Sequence, residues 1–212
     1  MTVRQQESDR TPLELLELRH LGWRAKYAPD MNDTYVAGEG EDVRPPVMVI
    51  GEAPGAEEVL RVRPFVGPSG RVLRQLMEVA GLFTGYAPHF GNANCWLTNV
   101  VKFRPPNNRT PFPQEIKTVR PLLRQEWKAI GKPRVIVLVG GVALHAYVGE
   151  RRSIMKVAGK LHIRRSRVDG EKLFIWPMIH PSYGLKNPPL QPVMEEHWTT
   201  LGRYMEPYKE YK

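Results

Sequence analysis

Pro45-Pro46-Val47-Met48-Val49-Ile50-Gly51-Glu52-Ala53-Pro54-Gly55, followed by Pro64-Phe65-Val66-Gly67, decides how this chain folds. Four apolar residues between a proline pair and a glycine predict a short buried strand, and the Gly/Pro alternation after it blocks an immediate helix. Such a loop brings main-chain groups close to a ligand; an ordinary strand-to-helix turn is the plainer reading. Working outward, Arg71 to Ala80 repeats apolar residues at helical spacing and stops at Gly81. Cys95 to Thr98 reads as a second strand, Pro113 to Ile130 as a helix, and Arg134 to Val139 as a buried strand running into Gly140-Gly141 and a short helix through Tyr147. Segments 160–167 and 172–177 flank Val168-Asp169-Gly170-Glu171 as a hairpin, and a last helix spans roughly Pro192 to Met205. Strands alternating with helices predict an α/β fold with a mainly parallel sheet between helical layers.

Upstream, residues 1–28 form a polar tail and a helix from Thr11-Pro12, with leucines at helical spacing. Residues 29–212 read as a single domain on which that helix packs. Pro29 to Pro46, rich in Gly, Asp, Asn and Pro, reads as a linker into the strand. The 212 residues, 42% hydrophobic, suit one core.

A net charge of +9 makes a polyanion, nucleic acid first, a plausible partner, although many basic proteins bind nothing acidic. Cys95 is the only cysteine, which precludes an internal disulfide and any multi-cysteine metal or iron-sulfur site. No apolar run approaches the ~18 residues that span a bilayer, and the N-terminus lacks a signal-peptide core. The expectation is an intracellular protein, cytoplasmic or nucleoid-associated, with no membrane partner, no metal, and a monomeric state by default.

In such sheets ligands sit beyond the carboxyl ends of the strands. Three polar clusters lie just past predicted strand ends: Gly51 onward, Asn99 onward and His180 onward. The Asn99 carboxamide suits reading a nucleobase edge, or else caps a turn. Lys102, Arg104 and Arg109 stand in a Pro/Asn-rich loop where positive charge could track phosphates, or simply be solvated. His180, held by Pro181 with Ser182 two residues on, can present one ring nitrogen while the other is fixed; a structural histidine is the plainer reading. Phe65 in its rigid loop is a stacking platform or a core residue. Glu52, Glu57 and Glu58 supply carboxylates beside the backbone loop, or are helix-start acids. His20, His89, His145, His162 and His197 have no comparable setting and are assigned no role.

Together these residues closely resemble the uracil-DNA glycosylase superfamily, specifically its family 4. The shared set is Gly51–Gly55, the acids Glu57-Glu58, Pro64–Gly67, Thr98–Pro106 with Asn108-Arg109-Thr110-Pro111, and His180-Pro181-Ser182, in that order over about residues 30 to 190. The resemblance implies a three-layer α/β/α sandwich around a central, mainly parallel four-stranded sheet. It implies a DNA-repair hydrolase that cleaves the N-glycosidic bond of uracil flipped from single- or double-stranded DNA, leaving an abasic site. On that likeness Phe65 stacks on uracil, Asn99 reads its edge, and Glu52 and Ala53 belong to the loop that lines the pocket and holds water. Glu58 matches the carboxylate needed for activity and His180 the histidine facing the base carbonyl. Ser182, Tyr183 and Lys186 approach the duplex.

Two departures from the family pattern, and one feature of a related branch, bear on this. Phe103 stands at the cysteine position of the family's Lys-Cys-Arg, Val119 lies near another, and the N-terminal cysteine pair is absent, so no iron-sulfur cofactor is expected; Phe103 and Trp127 are the expected replacement brace. Val59 replaces an aspartate after Glu58, and Val62 stands where glycine is common. The covalent DNA-trapping branch has a basic insertion that is missing between Lys102 and Pro111. The altered loop at 59–62 leaves open a non-catalytic DNA-binding relative, and a glycosylase for another deaminated base is the third reading.

Overall fold

The structure, a computed structural model, describes residues 10–40, 44–82, 95–149, 152–165 and 170–208. The extreme N-terminal tail, part of the expected linker at 41–43, His89, and Val168 and Asp169 of the expected hairpin turn lie outside these residues. The first helix, α1 (Pro12–Tyr27), starts at a reciprocal cap: Glu14 N–H donates to Thr11 Oγ1, and the Glu14 carboxylate accepts from Thr11 N–H at 2.7 Å. It runs further than the leucine repeat alone predicts, because Trp23 is buried and its Nε1 donates to Thr118 Oγ1 at 2.9 Å.

Among the described residues the sheet has six strands where the resemblance implied four. Its centre is the expected parallel set: β2 (Val47–Gly51), β3 (Cys95–Asn99), β4 (Val135–Val139) and β6 (Lys172–Met178). Antiparallel edges are added by β1 (Glu39–Gly40) on β3 and β5 (His162–Arg165) on β6, giving the order β1-β3-β2-β4-β6-β5. The β5–β6 pair is the expected hairpin. Strand β1 lies within the segment read as a linker, and its two residues are too short to show any periodicity.

The central strands bury both faces, as parallel strands between helices must. Met48, Ile50, Ile136 and Leu138 pack toward α1, α4 (Pro113–Ala129) and α5 (Gly141–Val148). Val47, Val49, Val135, Val137 and Val139 pack on the other side toward α3 (Pro68–Val79) and α8 (Gln191–Met205). The other α-helices among the described residues are the short α2 (Ala56–Arg61), α6 (Ile154–Val157) and α7 (Pro181–Lys186). The result is a three-layer α/β/α sandwich.

One charged pair lies inside the first helical layer. Lys102 and Glu126 are buried, with Nζ 2.7 Å from Oε2. Glu126 Oε1 also accepts from Trp96 Nε1 and Thr98 Oγ1, each at 2.9 Å, and Lys102 Nζ donates to Thr98 Oγ1 and to the Asn99 carbonyl at 3.1 Å. Burial pushes the Lys102 ammonium pKa down, and Glu126 opposes that shift. Lys102 therefore cannot track phosphates, which corrects its assignment as a DNA contact.

Phe103 and Val119 are wholly buried in apolar packing on this same side, while Cys95 is buried on the opposite face of the sheet. Carbon side chains at those places do not fit a four-cysteine iron-sulfur cluster. The residues stacked around Phe103 are Tyr35, at 5.7 Å between ring centroids, and the Arg24 guanidinium, also at 5.7 Å. Trp127, the expected partner, instead stacks under Arg124 at 3.9 Å and donates Nε1 to the Pro133 carbonyl.

Two outcomes are expected in chemical denaturation. Lys102→Met strands a buried carboxylate and lowers stability by about 3–5 kcal/mol, while Lys102→Met with Glu126→Gln recovers most of that loss. Val62 caps α2 in the left-handed region at φ 51° and is 55% exposed, so Val62→Gly relieves strain without losing packing. It should raise stability by about 1 kcal/mol.

Candidate active site

A cavity of about 590 Å³ opens beyond the carboxyl ends of β2 and β3 and the start of α7. Glu52, Ala53, Glu58, Phe65, Asn99 and His180 all line it, so the three clusters read from the sequence converge in one crevice. Arg109, Ser182 and Lys186 stand at its wall as well. Tyr183 does not line it and is 49% exposed next to it on α7. Arg104 is half-buried and donates Nε to Asn108 Oδ1 at 2.8 Å.

Gly51 ends β2 where a side chain cannot fit. A Cβ there would lie 2.5 Å from Phe65 Cζ and 2.6 Å from Asn99 Oδ1, so glycine lets the ring and the carboxamide close over the same backbone. Asn99 is buried at the end of β3, in register with Gly51. Its main-chain carbonyl is held by Lys102 from below, which leaves the carboxamide directed by a rigid strand end.

Phe65 adopts φ 56°, a left-handed conformation that a non-glycine residue holds only under constraint. The constraint is visible. Arg74 Nε donates to the Phe65 carbonyl at 3.0 Å, and its Nη2 donates to the Pro64 carbonyl at 3.1 Å and to Glu39 Oε1 at 2.9 Å. Gly70 admits the turn, since a Cβ there would sit 2.2 Å from the Phe65 carbonyl carbon. Sequence reasoning missed Arg74 and Glu39. An arginine on an amphipathic helix reads as solvated, and nothing local links it to a carboxylate in the presumed linker.

Glu58 lines the crevice with its carboxylate held by backbone N–H groups of two loops. Its Oε2 accepts from Gly55 N–H at 3.0 Å, and its Oε1 accepts from Val66 and Gly67 N–H at 2.9 and 2.7 Å. It stitches the glycine-rich loop to the Phe65 loop. Val59 and Val62 do not prevent this. Glu52 is the carboxyl whose pKa burial pushes up, with a Thr110 hydrogen bond opposing the shift.

His180 caps α7. Ser182 N–H can only donate, and it does so to His180 Nδ1 at 3.2 Å, with Ser182 Oγ 2.7 Å from the same nitrogen. Nδ1 is thus the acceptor, and the neutral ring carries its proton on Nε2. Burial lowers the His180 pKa, which favours this neutral form.

Arg109 is less available than its sequence context suggested. Its guanidinium forms a two-pronged pair with Glu115, at 2.9 and 2.7 Å, and reaches Asp30 at 2.8 Å. Its charge at the cavity wall is largely compensated.

No group of three or more His, Cys, Asp and Glu side chains that could hold a metal ion occurs among the described residues. No helix among them is long and apolar enough to cross a membrane.

Comparison with known proteins agrees with this arrangement. The family model of the Uracil DNA glycosylase superfamily matches residues 37–202. A type-4 uracil-DNA glycosylase of Saccharolobus solfataricus is 36% identical over 76% of this chain and 71% of its own length. One from Pyrobaculum aerophilum is 35% identical over 82% and 87%, and one from Thermotoga maritima is 39% identical over 72% of each chain. With the sheet order, the crevice and the ordered motifs all in place, the chain belongs to the uracil-DNA glycosylase superfamily.

Proposed function

We propose that the protein hydrolyses the N-glycosidic bond of 2′-deoxyuridine flipped out of DNA, releasing uracil and leaving an abasic site. The observation that carries this reading is the convergence of the Phe65 ring, the Asn99 carboxamide and the neutral His180 imidazole on one cavity. A flipped uracil stacks on Phe65, and Asn99 pairs with its polar edge; together these offset the few kcal/mol that unstacking costs. As the bond breaks, negative charge collects on uracil and positive charge on the sugar. His180 Nε2–H donates to the uracil oxygen where charge develops, as an oxyanion hole does.

Glu52 is the group we assign to the water and the sugar. It shares the cavity wall with Ala53 and has fewer backbone bonds than Glu58, and its raised pKa marks a carboxyl that burial has left short of compensating charge. Glu58 is a positioning residue that fixes Phe65 and the Gly51–Gly55 loop through its three N–H bonds. Ser182 orients His180. Tyr183 and Leu185, 49% and 46% exposed on α7, fill the gap left by the base, with Lys186 toward phosphate. Arg104 stands at the edge of this surface.

Uracil-containing oligonucleotides treated with the protein and then with alkali should be cut at the uracil. Glu52→Gln and His180→Ala should lower kcat by roughly a hundredfold or more, the scale of losing one transition-state donor or proton-transfer group. Glu58→Gln should lower both activity and the unfolding midpoint. Because the neutral form of His180 is the competent one and its pKa is lowered, activity should hold through neutral pH. It should fall on acidification with an inflection below the ordinary imidazole value of about 6.5, and in His180→Ala the loss should be smaller, leaving only what protonation of other groups causes. Strand scission no greater than in Asn99→Ala or His180→Ala controls would overturn the proposal.

A further inference from the structure

Phe112 is an aromatic side chain that the uracil cavity does not use. Between Pro111 and Pro113 at the start of α4, it is 54% exposed, yet its backbone is fixed by the Glu115 carboxylate, which accepts its N–H. The Arg109 guanidinium lies 3.7 Å from the ring centroid, and Arg109 is itself pinned by Glu115 and Asp30. An exposed, proline-flanked ring backed by a fixed cation gains little from folding; it is the construction that presents a flat apolar face to a planar partner.

A cavity of about 460 Å³ adjoins this ring. Phe112, Pro113 and Val142 give it apolar walls, and Thr110, His145 and Arg152 give it polar ones. His145 Nδ1 is buried behind that wall without a hydrogen-bond partner. The cavity is continuous in sequence with the first: Arg109 lines one and Thr110 the other, and Thr110 hydrogen-bonds Glu52 across the divide.

We infer that this second cavity takes an unpaired nucleobase of the same strand, one or two nucleotides from the uracil, stacked on Phe112. The inference rests on the proposed function for the presence of a DNA strand in the first cavity. Polar lining beside an aromatic wall suits a base with its attached sugar-phosphate, and the excess positive charge of the chain suits a strand rather than an isolated apolar ligand. A base held in a duplex must unpair to enter, so single-stranded or frayed DNA is favoured over a paired site.

The test uses the full chain and a single-stranded oligonucleotide carrying 2′-fluoro-2′-deoxyuridine, which resists cleavage, with 2-aminopurine placed one or two nucleotides to either side. Binding should change the 2-aminopurine emission at one of these positions. Phe112→Ala should abolish that change and weaken binding roughly fivefold to a hundredfold, whereas Phe112→Trp should preserve both. A bound complex in which no position responds, or a Phe112→Ala protein that responds like the unaltered one, would overturn the inference, as would a failure of the unaltered protein to bind. Because the signal needs no bond cleavage, the two ideas fail separately. A stacking response without uracil release from an ordinary substrate removes only the proposed activity, and uracil release without a response removes only the subsite.

Discussion

The carboxylate of Glu126 is the constraint on which the crevice depends. It sits in the core between the sheet and α4, where an unpaired charge is prohibitively costly, so its partners have little freedom. Trp96 and Thr98 reach it from β3, and Lys102 reaches it from the loop after that strand. The same Lys102 holds the Asn99 carbonyl. The end of β3 is therefore locked to α4 by several bonds that share one acceptor group. A weaker, apolar contact would allow β3 to slide against the helix; directional bonds in a low-dielectric interior do not. Asn99 inherits this rigidity without touching Glu126.

The opposite wall is built by the same means with different groups. Glu58 gathers three backbone N–H groups from two loops, and Arg74 gathers two carbonyls and Glu39. Both braces act on main-chain atoms, so they specify loop shape without depending on loop side chains. That explains how Phe65 keeps a left-handed backbone and how valines are accommodated at 59 and 62. On the proposed function such preorganisation is an advantage, because no ordering remains to be done once a base arrives.

Much of this was legible in the sequence, for identifiable reasons. Strands β2 and β4 bury both faces and appeared as uninterrupted apolar runs between turn residues, β3 showed a shorter one at Cys95–Leu97, and the glycine- and proline-rich loop after β2 announced the crevice. Lys102 was misread because a lysine followed by Arg104 and a proline pair resembles a solvated loop, and its partner lies on a distant helix. One signal was present: Glu126 falls on the apolar face of α4 with Val119, Leu122 and Leu123, and a carboxylate there implies a buried cation. The ion pairs of Arg109 were not legible either, since Asp30 is remote in sequence. Strand β1 and the Arg74–Glu39 pair carry no local pattern and arise only from tertiary contact.

The packing around Phe103 shows what a chain with one cysteine does with the space on this side of the sheet. Tyr35 stacks against Phe103 and against His20, whose ring centroid is 5.8 Å away, and Trp23 and Val119 belong to the same apolar cluster. Aromatic burial of this kind supplies cohesion of its own. His20 is the weak member. It is fully buried, neither ring nitrogen has a hydrogen-bond partner, and burial together with the Lys102 charge drives its pKa well below the imidazole range. The folded state therefore binds its proton less tightly than the unfolded chain does. Its contribution to stability is complete above about pH 6.5, the unfolded value, and is lost as the pH falls toward the folded one. Because His20 and Lys102 repel each other as cations, protonation there would strain the network that holds Asn99. Acid is thus expected to loosen the wall that carries Asn99 from inside the core as well as acting through His180.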